Sequence, residues 1–277
     1  MTARTIVITG ASDGIGASAA RTLSKQGERV VVVGRSAEKT ERIATEIGAD
    51  YFVSDFSDLS QVRTVAAQLL EKYPRIDVLA NNAGGIMGQR ELTVDGHELT
   101  FQVNHLAPFL LTTELMDVLT ASNATVINTS SAANGFGRLD LDDLDSARNY
   151  STTRAYGTGK LANILFTAEL HHRYGAEGIT TAAFHPGVVA TNFAAESTSP
   201  MRHAYKTFLN RFLLSPEQGA DTLVWLATAR PGQDWISGAY YAKRALAKAN
   251  KQAYDADLAR ELWDRSEELV SDRVESR

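Results

Sequence analysis

The chain has 277 residues, 44% hydrophobic and 22% charged, which suits a soluble globular protein of one large domain or two small ones. Its 28 basic and 33 acidic side chains leave a net charge of −5, without the concentrated positive field that nucleic acid or an acidic membrane requires. Cysteine is absent and the six histidines form no HExxH-type spacing, so disulfides, thiolate nucleophiles and cysteine-ligated zinc are excluded and no metal site is expected.

Arg4 leads at once into a short β-type run, Thr5 to Thr9, rather than into a signal peptide. Further short apolar runs follow at Val30 to Val33, Tyr51 to Val53, Val78 to Ala80, Thr125 to Ile127 and Thr180 to Phe184. They read as strands buried on both faces of a parallel sheet. Between them, apolar residues recur at helical spacing, as in Ile15, Ala19, Ala20 and Leu23, and in Leu59, Val62, Val65, Ala66 and Leu69. A long helix is expected near Thr152 to Tyr174 and a closing amphipathic helix over 252–270, with Leu258, Leu262, Trp263 and Leu269 on its apolar side. Residues 188–214 have weak periodicity and read as an insertion or lid. The alternation predicts an α/β fold, a doubly wound parallel sheet of about seven strands flanked by helices, in a single domain over 1–277. No apolar run reaches the roughly 18 to 20 residues of a membrane span, so a cytoplasmic protein without an anchor is expected.

The first strand runs directly into TGASDGIG, Thr9 to Gly16, with Gly10, Gly14 and Gly16 spaced by four and two. Such a turn allows close backbone approach to a diphosphate, with the helix N-terminus aimed at the phosphates. Five further motifs stand in order along the chain: NNAG at Asn81 to Gly84, Asn104 within VNHLAPFLLT, the pair Ser130-Ser131, YGTGK from Tyr156 to Lys160, and HPGVVAT from His185 to Thr191. Together these resemble the short-chain dehydrogenases/reductases and span most of residues 5 to 191. VNHLAPFLLT and YGTGKLANILF resemble the retinol-dehydrogenase-like branch, as does the 25-position gap from Ser131 to Tyr156. The resemblance implies a Rossmann-type fold and a nicotinamide cofactor.

Tyr156 and Lys160, four apart in a helical segment, share one face. An ammonium group near a phenol favours the phenolate, which gives a proton donor and acceptor for a carbonyl or alcohol oxygen. Gly157 and Gly159 each cost a helix about 1 kcal/mol against alanine, so something is expected to approach that backbone closely. Ser131 ends the fifth strand, where open α/β sheets place their ligand crevice, and could steady charge on the substrate oxygen. The resemblance implies Ser131 rather than Ser130 as the catalytic serine, and Asn104 as the holder of a water-linked proton path to Lys160. It also assigns Gly10, Ser12, Gly14, Ile15 and Gly16 to the phosphates, Asp55 and Phe56 to the adenine, and Asn82, Ala83 and Gly84 to the adenosine ribose. Pro186, Gly187, Val189 and Thr191 fall to the nicotinamide carboxamide end, and Lys160 with Tyr156 to the nicotinamide ribose.

The second strand ends at Gly34-Arg35, where NAD-binding members usually carry an acid for the ribose hydroxyls. A guanidinium there can hold the 2′-phosphate of NADP, so NADP(H) is expected over NAD(H), although Asp13 occupies a position that is basic in many NADP-dependent members. The expected partner is a small carbonyl compound or alcohol, lipophilic by resemblance to the branch, with a homodimer or homotetramer as the family's usual assembly. A non-catalytic nucleotide-binding redox sensor is the rival reading, against which stands the presence of Tyr156, Lys160 and Ser131 together. Specificity is expected from 85–91, 133–149 and 192–214, where Phe193, Met201, Tyr205, Phe208 and Phe212 could line a pocket.

Overall fold

The structure is a computed structural model that describes residues 3–188 and 214–271. The strands are Thr5–Thr9 (β1), Arg29–Gly34 (β2), Asp50–Val53 (β3), Val78–Asn81 (β4), Thr125–Thr129 (β5), Thr180–His185 (β6), Ala239–Ala242 (β7) and Ala245–Leu246 (β8). They form one sheet in the order β3-β2-β1-β4-β5-β6-β7-β8, parallel except for the β7–β8 pair. The valine- and isoleucine-rich β1 and β2 are buried along almost their whole length, as strands covered on both faces must be. β3 departs from the sequence reading. It lies at the sheet edge, and Tyr51 and Val53 are 39% and 43% exposed. β8, too short to register as a pattern, follows a tight turn in which Lys243 and Arg244 take positive φ values of 50° and 59°.

The helices are Gly14–Lys25 (α1), Ala37–Ile47 (α2), Leu59–Lys72 (α3), Leu99–Phe101 (α4), Ala107–Glu114 (α5), Met116–Ser122 (α6), Thr152–Tyr174 (α7), Pro216–Thr228 (α8) and Ala256–Val270 (α9). A π-helical turn, Gln102–Leu106, joins α4 to α5. α1, α2 and α8 cover one face of the sheet through Ala20, Leu23, Ile43 and Leu223. α3, α5 and α7 cover the other through Val62, Leu69, Phe109 and Leu165, with α9 packed outside α7. Local signals set the ends. Ser36 caps α2, Asp58 caps α3, Asp255 caps α9, and Ser215 with Gln218 forms a capping box on α8.

α9 is fastened by Trp263, whose ring centroid lies 5.0 Å from that of Phe109 and 5.6 Å from that of Phe166. Its indole N–H donates to Glu267 Oε1 at 2.7 Å, and the Arg173 guanidinium lies 4.8 Å from the ring. The amide of Leu214 donates to the carbonyl of Val188 at 2.9 Å, so the ends of the 188–214 stretch meet. The lid reading of that stretch, and with it Val189, Thr191, Phe193, Met201, Tyr205, Phe208 and Phe212, lies outside the described residues. Among the described residues no helix is long and apolar enough to cross a membrane. Trp263→Ala, which removes the largest wholly buried side chain, is expected to cost about 3 to 5 kcal/mol in urea unfolding.

Candidate active site

The strand order reverses between β1 and β4, which both neighbour the sheet centre, and open α/β sheets bind ligands in the crevice beyond such a point. The two segments that border it interlock. The Thr9 hydroxyl accepts from the amides of Asn82 and Ala83 at 3.0 Å each, and Asn82 Nδ2 donates to the Thr9 carbonyl at 3.0 Å. A Cβ on Gly16 would lie 2.4 Å from the Gly10 carbonyl oxygen and 2.6 Å from Asn82 Nδ2, so that glycine is required by the turn's own packing. Gly10 has a φ of +65°, and a Cβ there would lie 2.8 Å from Ala83 Cα. Asp13 caps α1 by accepting from the Gly14 amide at 2.8 Å, leaving Ile15 and Gly16 as first-turn amides with no helical acceptor for a phosphate to meet. The other Asp13 oxygen lies 3.6 Å from Lys39 Nζ, so the acid inside the turn is matched by a cation on α2.

At the far end of this crevice β2 closes on Gly34. A Cβ there would lie 2.4 Å from Thr40 Oγ1 and 2.9 Å from Ser12 Cβ. A side chain at that position would require Thr40 and Ser12 to shift. Arg35, the next residue, is exposed, and Lys39 stands on the first turn of α2. Asp55 does not cap α3, as Asp58 does so. Its Oδ1 accepts from Ser57 N and Oγ at 3.0 and 2.8 Å, which rigidifies the loop after β3. Phe56 is buried, and its carbonyl accepts from Gln102 Nε2 at 3.3 Å. Beside them Ser54 Oγ is buried with no partner among the described residues, an orphan polar atom that fits a ligand at this end.

The third part of the site joins β5 to α7. Ser130 Oγ donates to the Lys160 carbonyl at 2.7 Å, which leaves Ser131 as the half-buried serine at the strand's end. Ser131 caps the 3₁₀ turn Ala132–Phe136 by accepting from the Ala133 amide at 3.2 Å, and its carbonyl accepts from Asn134 Nδ2 at 2.7 Å and Tyr240 Oη at 3.3 Å. The glycines of YGTGK admit neighbours from the chain itself. A Cβ on Gly157 would lie 2.5 Å from the Ala133 carbonyl oxygen and 2.8 Å from Gly137 N, and one on Gly159 would lie 3.3 Å from Asn104 Cβ.

Tyr156 is 6% exposed, and Lys160 Nζ lies 5.6 Å from its ring centroid. Lys160 is 1% exposed, and its Nζ donates to the Thr129 carbonyl at 3.1 Å. Burial pushes the ammonium down to about 7, with no compensating carboxylate among the described residues. Asn104 lies in the π-helical turn, where Nδ2 donates to Gly85 O at 2.9 Å and Thr100 O at 2.8 Å while Oδ1 accepts from Gly85 N at 3.2 Å. A Cβ on Gly84 would fall 2.5 Å from Asn104 Oδ1 and 3.0 Å from Lys160 Nζ, so Gly84, Asn104 and Lys160 converge. Pro186 and Gly187 follow β6, with the Gly187 amide donating to His185 Nδ1 at 3.2 Å.

The sequence profile of the short-chain dehydrogenases matches residues 4–202. The chain belongs to that family. It is 43% identical over 276 residues to a Streptomyces sp. (strain C5) protein assigned as a daunorubicin C-13 ketoreductase, covering 97% of this chain and 93% of that one. It is 36% identical over 280 residues to human retinol dehydrogenase 13, covering 96% and 84% of the two chains. A solved structure from Mycobacterium paratuberculosis superposes with a TM-score of 0.77 at 34% identity, covering 96% of this chain and 93% of that one. As a short-chain dehydrogenase with retinol-dehydrogenase-like relatives, the chain is an NAD(P)-dependent oxidoreductase acting on CH–OH groups.

Within this short-chain dehydrogenase, sequence reasoning overlooked Lys39, which its place four residues after Arg35 could have flagged, and Tyr240, which backs Ser131. It also passed over Asn163 and His105, polar residues buried between α5, α7 and α9.

Lys160 has a pKa near 7 when folded and about 10.4 when unfolded, so the unfolded chain binds the extra proton between those values. Its burial destabilises the fold fully below pH 7, and the penalty fades as pH rises towards 10. Lys160→Met is therefore expected to raise the melting temperature at pH 6, with the gain shrinking in melts at pH 8 and pH 10.

Proposed function

We propose that this protein is an NADP(H)-dependent reductase that interconverts a lipophilic aldehyde or ketone and its alcohol, with Tyr156 as the general acid/base. The buried Lys160 amine beside Tyr156, held at the end of β5 without a carboxylate among the described residues, carries this reading. A lysine kept there at a cost in stability is one kept for chemistry. The name of the Streptomyces relative supports a ketone substrate, and the retinol dehydrogenases support a lipophilic one.

A bound nicotinamide cofactor supplies the hydride. Its diphosphate would be met by the free first-turn amides of α1, and its nicotinamide ribose by Lys160 and Tyr156. Tyr156 gives its phenolic proton to the carbonyl oxygen during reduction and takes it back during oxidation. Lys160 in its ammonium form favours the phenolate and so makes that exchange feasible near neutral pH. Ser131 donates to the same oxygen and stabilises the charge that develops on it. Asn104, fixed by Gly85 and Thr100, holds the polar path that leads from Lys160. At the adenosine end, Arg35 supplies the charge that favours the 2′-phosphate while Lys39 offsets Asp13, and the crowding at Gly34 disfavours the acid that NAD selectivity employs.

Two experiments test this reading. Tyr156→Phe is expected to lower NADPH-dependent reduction across a panel of ketones and aldehydes by on the order of 10² to 10⁴-fold, and unchanged turnover refutes the acid/base role. Arg35→Ala is expected to raise KM for NADPH about tenfold while leaving KM for NADH nearly unchanged, and equal changes in both refute the selectivity.

A further inference from the structure

The Thr129 carbonyl at the end of β5 accepts two side-chain hydrogen bonds. Lys160 Nζ and Asn163 Nδ2 each donate to it at 3.1 Å. The peptide that carries this oxygen is already fixed, because the next amide, Ser130 N–H, donates to the Phe184 carbonyl at 2.7 Å on β6. Asn163 is therefore not needed to aim the carbonyl. A carbonyl oxygen has two lone pairs, and Asn163 fills one, leaving Lys160 the other.

Donor and acceptor rules then set the direction of a chain that runs to the far side of α7. The Thr129 oxygen can only accept, so Asn163 presents its amino group there and its Oδ1 faces His105 Nδ1 at 3.4 Å. Oδ1 can only accept, so Nδ1 carries the proton of the imidazole, whose pKa burial pushes down to about 4. Nε2 is then an acceptor, and the donor is the Ser266 hydroxyl, 2.9 Å away on α9. That hydroxyl has one hydrogen, for which the Leu262 carbonyl 2.7 Å away competes with Nε2. Ser266, His105 and Asn163 are all within 3% exposure, out of reach of solvent that could take over any of these bonds.

We infer that Asn163, oriented by His105 and Ser266, is a positioning residue that confines Lys160 Nζ to one lone pair of the Thr129 carbonyl and so holds it beside Tyr156. Without Asn163 both lone pairs are open to the amine, and its place beside the Tyr156 ring is no longer enforced. This rests on the reading of Tyr156 and Lys160 as the reacting pair, but the placement itself can be measured in the protein alone.

The test begins with cofactor-free, [15N]histidine-labelled protein. Long-range proton–nitrogen correlation spectra at pH 7 are expected to give His105 as the Nδ1–H tautomer, and the Nε2–H tautomer overturns the inferred chain. A nuclear Overhauser contact between the Lys160 ε-methylene and the Tyr156 ring is expected in the wild type and lost in Asn163→Leu. Its survival in that variant overturns the inference. His105→Gln, which reaches Ser266 but not Asn163, is expected to lose the same contact, while His105→Asn, which keeps a donor at the Nδ1 position, is expected to restore it. These two variants carry the test if Asn163→Leu does not fold, and a contact unaffected by His105→Gln overturns the assigned role of His105. With cofactor and substrate, Asn163→Leu is expected to lower kcat by on the order of 10- to 100-fold with KM for NADPH within about twofold. An unchanged kcat overturns the positioning role, provided that Lys160→Met abolishes turnover. If Lys160→Met retains turnover, the reading of the reacting pair fails instead, and the tautomer and contact measurements decide the placement independently.

Discussion

Everything at this site depends on how a cation is kept inside a protein interior with no counterion among the described residues. Moving an ammonium out of water is expensive, and the usual remedy, an adjacent carboxylate, would neutralise the charge that the role proposed for Lys160 beside Tyr156 requires. The fold offers a backbone dipole instead. The Thr129 carbonyl is partially negative, is held rigidly by the β5–β6 ladder, and cannot take up a proton. Strands β5 and β6 thus serve both as core and as the anchor of the amine. The low pKa of Lys160 is the residual cost of that arrangement.

The same economy explains the glycines around Tyr156. α7 could reach the end of β5 only if something small stood at the crossing, and Gly157 against Gly137 and the Ala133 carbonyl is that crossing. It brings the Ser131 turn and the Tyr156 helix into backbone contact, so the serine and the tyrosine are spaced by packing rather than by flexible side chains. Tyr240 and Asn134 then brace the serine's carbonyl from behind. A phenol whose own ionisation burial pushes upward makes a steady support, since it remains a donor across the working pH range.

Much of this was legible in the chain. Short β-branched runs and three- to four-residue spacing marked β1, β2, α1 and α3, because burial on two faces or one leaves a pattern that a window of ten residues can see. β3 misled, since an edge strand and a central one share the same β-branched and aromatic composition while differing only in what covers them. The glycines of YGTGK correctly announced a close approach, but not that the intruder was residues 133–137. Asn163 and His105 were invisible for a different reason. α7 is buried nearly all round, so a polar residue within it carries no periodic signature, and only the hydrogen-bond partners reveal its task. Asp13 looked like an objection to a phosphate site until Lys39 appeared opposite it, a pairing across two helices that linear order hides.

The bond from Leu214 to Val188 has a topological meaning. It closes the ends of the intervening stretch onto each other directly after the Pro186-Gly187 turn, so the sheet receives the same two residues whatever lies between. Lengthening a closed loop is inexpensive, about 0.6 kcal/mol for each doubling. The tie between Val188 and Leu214 thus fixes where the chain leaves β6 and where it enters α8, independently of the length of what separates them.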